Sequence, residues 1–459
     1  MMGERQAFRK ATVGGAAKLA SQLSGALVLP SDRGYEAARR VWNGMVDRRP
    51  AMIAYCERDE DVVACIRYAR SSGMLLTVRG GGHNIAGSSV CDGGLVVDLS
   101  RMNRVWVDPQ VRVARAGGGA QLADLDAATQ AHGLATTTGV NSDTGLVGLT
   151  LGGGIGRLAR KHGLSCDNML SARVVTADGT ILMASETENA DLFWALRGGG
   201  GNFGVVTEVA YRLHPLGPMV LSGSLICGWP QTRDTIRRYA EFTASAPDEA
   251  YADLALVSSS DGPPGVSVSL FYAGPIAEGE RIFARLRTGL RPIEDRVRAA
   301  AYVDVQKGGD ATFPRGDRFY WKAQFLREIT DGLIGALIDR FPSAPSTRSL
   351  FVFQQVGGVI ARTPVEASAY PNREAAYDAF PVSIWTDPAA DAENIAWGRT
   401  LYETVRPFAP GGVYVNNLGD EGEARVRAAY GPNYARLATL KAKHDPDNLF
   451  RSNANIRRG

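Results

Sequence analysis

The sequence predicts an α+β protein of two domains, on three observations. Short apolar strands alternate with helices as far as residue 214. After His214–Pro215, longer strands and then helices follow one another to about residue 410, the texture of an antiparallel sheet backed by helices. Residues 411–459 then change texture again. The boundaries are a first domain over 1–214, with its core at about 46–214, a second over 215–410, and a C-terminal part over 411–459. At roughly 150 residues per domain, 459 residues allow two or three domains.

The elements justify this in order. Leu19, Leu23 and Leu27 recur at helical spacing and predict a short amphipathic N-terminal helix. Arg5, Arg9 and Lys10 give this stretch the look of a signal peptide, but Lys18, Ser21, Gln22 and Ser24 interrupt any apolar run. Met-Ile-Ala-Tyr from residue 52 is a strand, and the next helix, with Val62, Cys65, Ile66 and Ala69 on one face, ends at Gly73. Apolar strands follow at 75–78, 95–99 and 104–108, with another before the glycines at 117–119. A helix with Leu122 and Leu125 inward comes next, and then a long Gly- and Thr-rich segment over 136–156. A hairpin turns at Asp178–Gly179. The segment 188–213 closes the first part as a helix, a Gly-rich turn and a strand. In the second part, strands are expected at 219–228, 252–260, 266–274, 350–358 and 380–387, and helices at 277–287 and 331–340. A last helix is expected at 435–445.

Composition narrows the function. Charged residues make up 22%, and 51 basic against 48 acidic residues leave a net charge of +3 without a basic stripe, which argues against a nucleic-acid partner. No run of about 18 apolar residues occurs, so no membrane helix is expected. The five cysteines have no regular spacing and include no CxxC pair, and the five histidines are scattered. A disulfide framework and a metal centre are therefore not expected, and a reducing cytoplasm fits best.

Glycine is the outlier at 53 residues, and clusters of it stand at 80–82, 152–156 and 198–201 beside apolar strands. Three such clusters within 125 residues point to a nucleotide whose pyrophosphate is held by backbone N–H groups. Gly154-Ile-Gly156-Arg-Leu-Ala159 satisfies a dinucleotide fingerprint, with Asp178 about 20 residues on. Gly163, however, stops any helix almost at once, and the βαβ unit that a nicotinamide cofactor needs is missing.

A family resemblance rests on the ordered series of motifs. Arg79-Gly-Gly-Gly-His-Asn84 is followed by Asp92-Gly-Gly-Leu-Val-Val-Asp98 and by Gly139-Val, Gly145-Leu-Val-Gly148 and Gly152-Gly-Gly-Ile-Gly156. Lys161-His-Gly-Leu-Ser-Cys-Asp-Asn168, Val174-Val-Thr-Ala-Asp-Gly179, Asp191-Leu-Phe-Trp-Ala-Leu-Arg leading to Gly204, and Tyr414-Val-Asn416 complete it. The chain resembles the flavin-linked oxidases of the vanillyl-alcohol oxidase and berberine-bridge-enzyme group, particularly bacterial members of the 6-hydroxynicotine oxidase type. The resemblance covers about residues 45–215 and 365–459, and between them it is one of strand texture only.

That resemblance implies a two-domain flavin-oxidase fold: a PCMH-type FAD-binding domain built from both chain ends, with an antiparallel-sheet substrate domain inserted. It carries FAD contacts onto Arg79, Gly80, Gly81, Gly82, His83 and Asn84, and onto Gly139, Asn141, Thr144, Gly145, Gly148 and Leu149. Further contacts fall on Gly152, Gly153, Gly154 and Gly156, on Gly204, Val205 and Val206, and on Tyr414, Asn416 and Asn453. His83 matches the position that carries a covalent bond to FAD, and a neutral imidazole is a competent nucleophile toward the 8α-methyl carbon. Some relatives attach the flavin a second time through a cysteine. Asn141 stands at that position here, so a single attachment is expected, and Cys166 reads as a small buried residue.

The resemblance gives the catalytic roles to Tyr414 and Asn416. Relatives often add a Glu or Gln from a sheet strand. Phe380 occupies that position here as an apolar wall, and Asp378, which shares its strand face by period-2 alternation and is the nearby carboxylate, is the third catalytic candidate. His132, His214 and His444 read as structural. Phe313, Phe319, Tyr320, Trp321, Phe325, Phe351 and Phe353 are either pocket lining or sheet core. The expected function is hydride transfer from a small amine, alcohol or aromatic substrate to FAD, with dioxygen as oxidant, in a monomer or homodimer. The alternatives are a dehydrogenase with another acceptor and a non-catalytic flavin-binding protein.

Overall fold

The computed structural model describes residues 15–260 and 262–457. Arg5, Arg9 and Lys10 lie outside the described residues. Strand Met52–Tyr55 opens a four-stranded sheet in the order Leu27–Val28, Met52–Tyr55, Leu95–Asp98, Leu76–Arg79, whose last three strands are parallel. Helix Asp59–Ser72 supplies the crossover that a parallel pair requires. Its first turn holds Asp59, Glu60 and Asp61, which suit the positive end of the helix dipole. It ends at Gly73 in the left-handed region, where a side chain would be strained. Val62, Cys65, Ile66 and Ala69 are fully buried beneath the sheet, each large aliphatic contributing about 1.5–3 kcal/mol.

The expected N-terminal helix is shorter than its leucine spacing suggests. Among the described residues it spans 15–20, and Leu27 pairs instead with Ala54 as an edge strand. Leu19 is buried against the sheet and Leu23 and Leu27 pack on the same cluster, so the period reflected a shared core rather than one helix.

A second, five-stranded antiparallel sheet runs in the order Val105–Asp108, Val113–Gly117, Val205–Arg212, Met169–Val175, Ile181–Ser185. The last two strands form the expected hairpin, with Gly179 at φ +83°. The Gly- and Thr-rich segment is not wholly loop: it contains helix Leu146–Leu151, and Leu146 and Leu151 are buried.

The inserted region is a nine-stranded antiparallel sheet built from residues 219–385. Helices Thr232–Ser245, Ile276–Leu290, Asp331–Arg340 and Asp391–Val405 cover one face. The first and last of these were not read from the sequence. Strand Tyr377–Trp385 shows how the sheet divides its faces. Tyr377 and Ala379 join the core under the helices, and Ser383 Oγ donates to Asn394 O of the covering helix. Phe380, Val382 and Ile384 point the other way, against Trp42 and Ile85 of the first region.

After this sheet the chain returns to its starting side. Helix Tyr434–His444 packs Leu437 and Leu440 into the core of the five-stranded sheet. Lys441 is buried there. Its Nζ donates to Asn202 O, Phe450 O and Asp445 Oδ2, while the Asp445 carboxylate accepts the backbone N–H groups of Leu449 and Phe450. This satisfied ion pair fixes the segment that carries Ser452, Asn453 and Ala454.

Candidate active site

A cavity of about 390 Å³ lies where the three Gly-rich segments, the returning C-terminal segment and the inner face of the large sheet meet. Leu76, Thr77 and Val78 of strand Leu76–Arg79 line it, and behind them Arg79 places its Nε 2.5 Å from Asp98 Oδ2 on the neighbouring parallel strand. The pair is nearly buried and fixes where Gly80–Gly82 leave the sheet. A Cβ at Gly81 would lie 2.3 Å from Gly145 N, so only glycine lets these two loops touch.

His83 follows in that loop. Its Nε2 is 2.7 Å from Asp143 Oδ1, and its ring stacks on Trp42 at 4.9 Å between centroids. Trp42 in turn stacks on Phe319 at 3.9 Å and donates its Nε1–H to Phe313 O. The imidazole therefore sits where the two regions join. Asn84 Oδ1 accepts from Ala86 N, Ser88 N and Ser88 Oγ, an Asx-type turn that closes the loop.

Tyr414 is buried. Its hydroxyl oxygen accepts N–H bonds from Gly154 (2.8 Å), Ile155 (3.3 Å) and Asn416 Nδ2 (2.7 Å). Asn416 Nδ2 also donates to Leu149 O, which fixes which way its amide faces. Among the described residues no acceptor is seen for the hydroxyl's own proton. Burial pushes the Tyr414 phenol well up, and the three N–H donors pull it back toward ionisation.

Of the expected cofactor residues, Gly80, Gly81, Gly82, His83, Asn84, Gly139, Asn141, Thr144, Gly145, Gly148, Leu149, Tyr414, Asn416 and Asn453 line the cavity. The others stand behind its walls. Arg79 is turned to Asp98. Gly152 and Gly153 let Asn416, Tyr370 and Tyr414 approach; Gly154 packs on Ser165 and Gly156 on the Thr138 carbonyl. Gly204, Val205 and Val206 are buried at the start of a strand. Asp378 is also fully buried: its Oδ2 accepts from Asn417 Nδ2 at 2.7 Å, and Asn417 lines the cavity. Burial raises the Asp378 carboxyl to about 7, partly offset by the Asn417 bond.

Of the seven aromatic residues singled out, Phe313 and Trp321 reach the cavity. Phe351 and Phe353 belong to the core under the helices, Phe325 to the core of the five-stranded sheet, and Phe319 supports Trp42. Phe380 does line the cavity. Sequence reasoning missed Trp42, Gln354 and Asn417. Gln354 is a polar residue on the cavity-facing period of an apolar strand, a signal that was legible; Trp42 carried none. His214 Nε2 bonds Asn168 Oδ1 and its ring stacks on His162, away from the cavity lining.

The residues present fit a dinucleotide with a flat ring. A Cβ at Gly148 or Gly201 would meet open space, so both face the cavity with bare backbone. Ser89 Oγ, Asn141 Oδ1 and Asn453 Oδ1 line it as buried polar atoms without a partner in the chain, a condition that a bound polar group relieves. All five cysteines are free and buried, and among the described residues no cluster of three His, Cys, Asp or Glu could hold a metal ion. No described helix is long and apolar enough to cross a membrane.

Fold and site together define an FAD-dependent oxidoreductase. Residues 50–185 match the FAD binding domain model, and residues 413–457 match the model for berberine and berberine-like proteins. The chain is 32% identical to (R)-6-hydroxynicotine oxidase of Paenarthrobacter nicotinovorans, over 96% of this chain and 98% of that protein. It is 31% identical to an FAD-linked oxidoreductase of Aspergillus terreus, over 94% of each. The crystal structure of 6-hydroxy-D-nicotine oxidase from Arthrobacter nicotinovorans superposes with a TM-score of 0.88 at 29% identity, covering 95% of this chain and 98% of that one. Physcomitrella patens BBE-like 1 shares the fold, with a TM-score of 0.87 at 22% identity over 95% and 97% of the two chains. The chain belongs to the berberine-bridge-enzyme-like family of FAD-linked oxidoreductases.

Proposed function

We propose that the protein is an oxidase of small, uncharged, flat aromatic substrates such as aromatic alcohols or neutral amines. One observation carries this reading: Trp42, Phe313, Trp321, Phe380 and Val382 wall one part of the cavity, and the polar side chains that the large sheet and the Tyr414–Asn417 segment add are the uncharged Gln354, Tyr414, Asn416 and Asn417. No Asp, Glu, Lys or Arg lines the cavity among the described residues. A polyhydroxylated sugar would leave most of its hydroxyls unpaired against such walls, at a cost of about 1–3 kcal/mol each. One relative is named as an oxidase of 6-hydroxynicotine, which accords with an aromatic substrate.

FAD, when bound, supplies the hydride acceptor, and dioxygen is the final oxidant. The chain's own residues hold and orient. Gly80–Gly82, Gly145 and Gly148 offer backbone N–H groups to the cofactor, and His83 bonds it covalently at a single point. Cys166 is buried at 0% exposure and burial raises its thiol well above the usual value, which argues against a second link there. Tyr414 holds the proton exchanged with the substrate as a phenol that burial keeps protonated, and the three N–H donors of its seat offset that burial only in part. Asn416 fixes that seat, and Asp378, whose carboxyl burial raises to about 7, acts through Asn417. Five buried free thiols are compatible with a cytoplasmic location.

The test is anaerobic bleaching of the yellow protein by a panel of aromatic alcohols, amines and oligosaccharides, followed by peroxide detection in air. Bleaching by aromatics with stoichiometric peroxide supports the reading. Bleaching by sugars alone overturns the substrate class, and bleaching without peroxide makes the protein a dehydrogenase.

A further inference from the structure

We propose that Asp143 is the positioning residue that presents His83 to the flavin, gripping the imidazole at Nε2 so that Nδ1 is the nitrogen that bonds the 8α-methyl carbon. The inference rests on the covalent reading above and goes beyond it, naming the nitrogen and the residue that selects it.

The geometry comes from two loops that touch. His83 and Asp143 are 60 residues apart in sequence, yet Gly81 and Gly145 bring their segments into backbone contact. Across that contact the Nε2–Oδ1 distance is 2.7 Å. The His83 side chain is 12% exposed and is held flat by Trp42. Asp143 has a second neighbour: Arg315 Nη2 lies 3.6 Å from its Oδ2 and donates to Gly81 O, fixing the carboxylate and the His83 loop together. Among the described residues Nδ1 makes no hydrogen bond, and His83 lines the cavity. Burial works against the ionisation of Asp143, but the His83 bond and the His83 and Arg315 charges hold its carboxyl below the usual range.

A carboxylate that accepts from Nε2 fixes the tautomer with its lone pair on Nδ1. It does more as the bond forms. The N–C bond forms as one methyl C–H bond breaks, and the imidazole acquires positive charge, which a carboxylate at 2.7 Å stabilises. Two electrons are left on the isoalloxazine. Dioxygen takes them, and the methyl and Nε2 protons leave with them as hydrogen peroxide, so the product is a neutral alkylated imidazole on an oxidised flavin.

The experiment reconstitutes flavin-free protein with FAD and follows acid-stable fluorescence over time. The variants are Asp143→Asn, Asp143→Glu and His83→Ala, with non-covalent FAD affinity measured separately. Asp143→Asn is expected to bind FAD within a few-fold of the wild type but to attach it about 10²-fold more slowly, the scale of lost proton-transfer assistance. Asp143→Glu should recover part of the rate, and the histidylflavin isolated from wild-type digests should show Nδ1 attachment by NMR. Attachment at the wild-type rate in Asp143→Asn, or an Nε2 link in the wild type, overturns the proposal while leaving the covalent bond intact. Release of all flavin from acid-precipitated wild type would instead sink the covalent reading itself, and this inference with it. Should Asp143→Asn fail to fold, the wild-type regiochemistry decides alone.

Discussion

Asp378 and Asn417 join the large inserted sheet to the C-terminal segment: Asn417 Nδ2 donates to Asp378 Oδ2 at 2.7 Å, and Asp378 Oδ1 is buried without a partner. A buried carboxyl with one satisfied oxygen is best accommodated as the neutral acid, and burial raises it to about 7.

Stability should therefore depend on pH through this residue. The folded-state value lies above the unfolded one of about 3.9, so the contribution is fully present below about pH 4 and is lost as pH rises through about 7. Asp378→Asn keeps the acceptor for Asn417 and removes the titration. The wild type is expected to lose more melting temperature than the variant between pH 5 and pH 8, by an amount equivalent to roughly 2.5 kcal/mol. Parallel thermal melts decide it; identical losses would mean Asp378 is ionised throughout.

Tyr414→Phe should retain FAD but slow anaerobic flavin reduction by about 10²-fold. Stopped-flow reduction with a confirmed substrate reads this directly. An unchanged rate, with flavin content intact, would reduce Tyr414 to an anchor for the Gly153–Ile155 backbone.

Two glycines of one segment should respond in opposite ways. Gly148 faces open space inside helix Leu146–Leu151, so Gly148→Leu should fold normally, gaining up to about 1 kcal/mol of helix propensity, and fail to bind FAD. Gly152 sits where a Cβ would lie 2.0 Å from Asn416 Oδ1, and Gly152→Ala should destabilise the protein by about 1–3 kcal/mol. Melting curves and flavin absorbance on the two purified variants separate these outcomes.

Lys441→Met leaves Asp445 as an unpaired buried carboxylate and should cost about 3–5 kcal/mol. The same variant should bind FAD more weakly, because the pair anchors the segment carrying Ser452–Ala454. Denaturant midpoints and FAD titration check both effects.

Much of the site was legible as sequence because its glycines and the His83 loop obey local rules. The turn at Gly179, the stop at Gly73 and the strand leading into Arg79 follow from neighbours a few residues away. Helix Thr232–Ser245 had its signal in Ile236, Tyr239 and Thr243, spaced three and four apart, but its many charged residues masked it. The Asp143 grip on His83, Trp42 on Phe319 and the Gly154 bond to Tyr414 join residues 60 to 277 positions apart, and no short window contains both partners. Asp378 illustrates the limit of periodicity. Alternation placed it on the same face as Phe380, but only packing turned it to Asn417 and left Phe380 at the cavity.

The wall formed by Ser452, Asn453 and Ala454 sets a timetable for biosynthesis. The strand Met52–Tyr55 leaves the ribosome nearly four hundred residues before that wall exists, roughly 20 to 80 seconds earlier at about 5–20 residues per second. Through that interval the nascent chain presents Gly80–Gly82 and Trp42 as an incomplete berth, open to chaperones and to premature ligands. Cofactor capture in the complete cavity thus waits until residue 454 has been made.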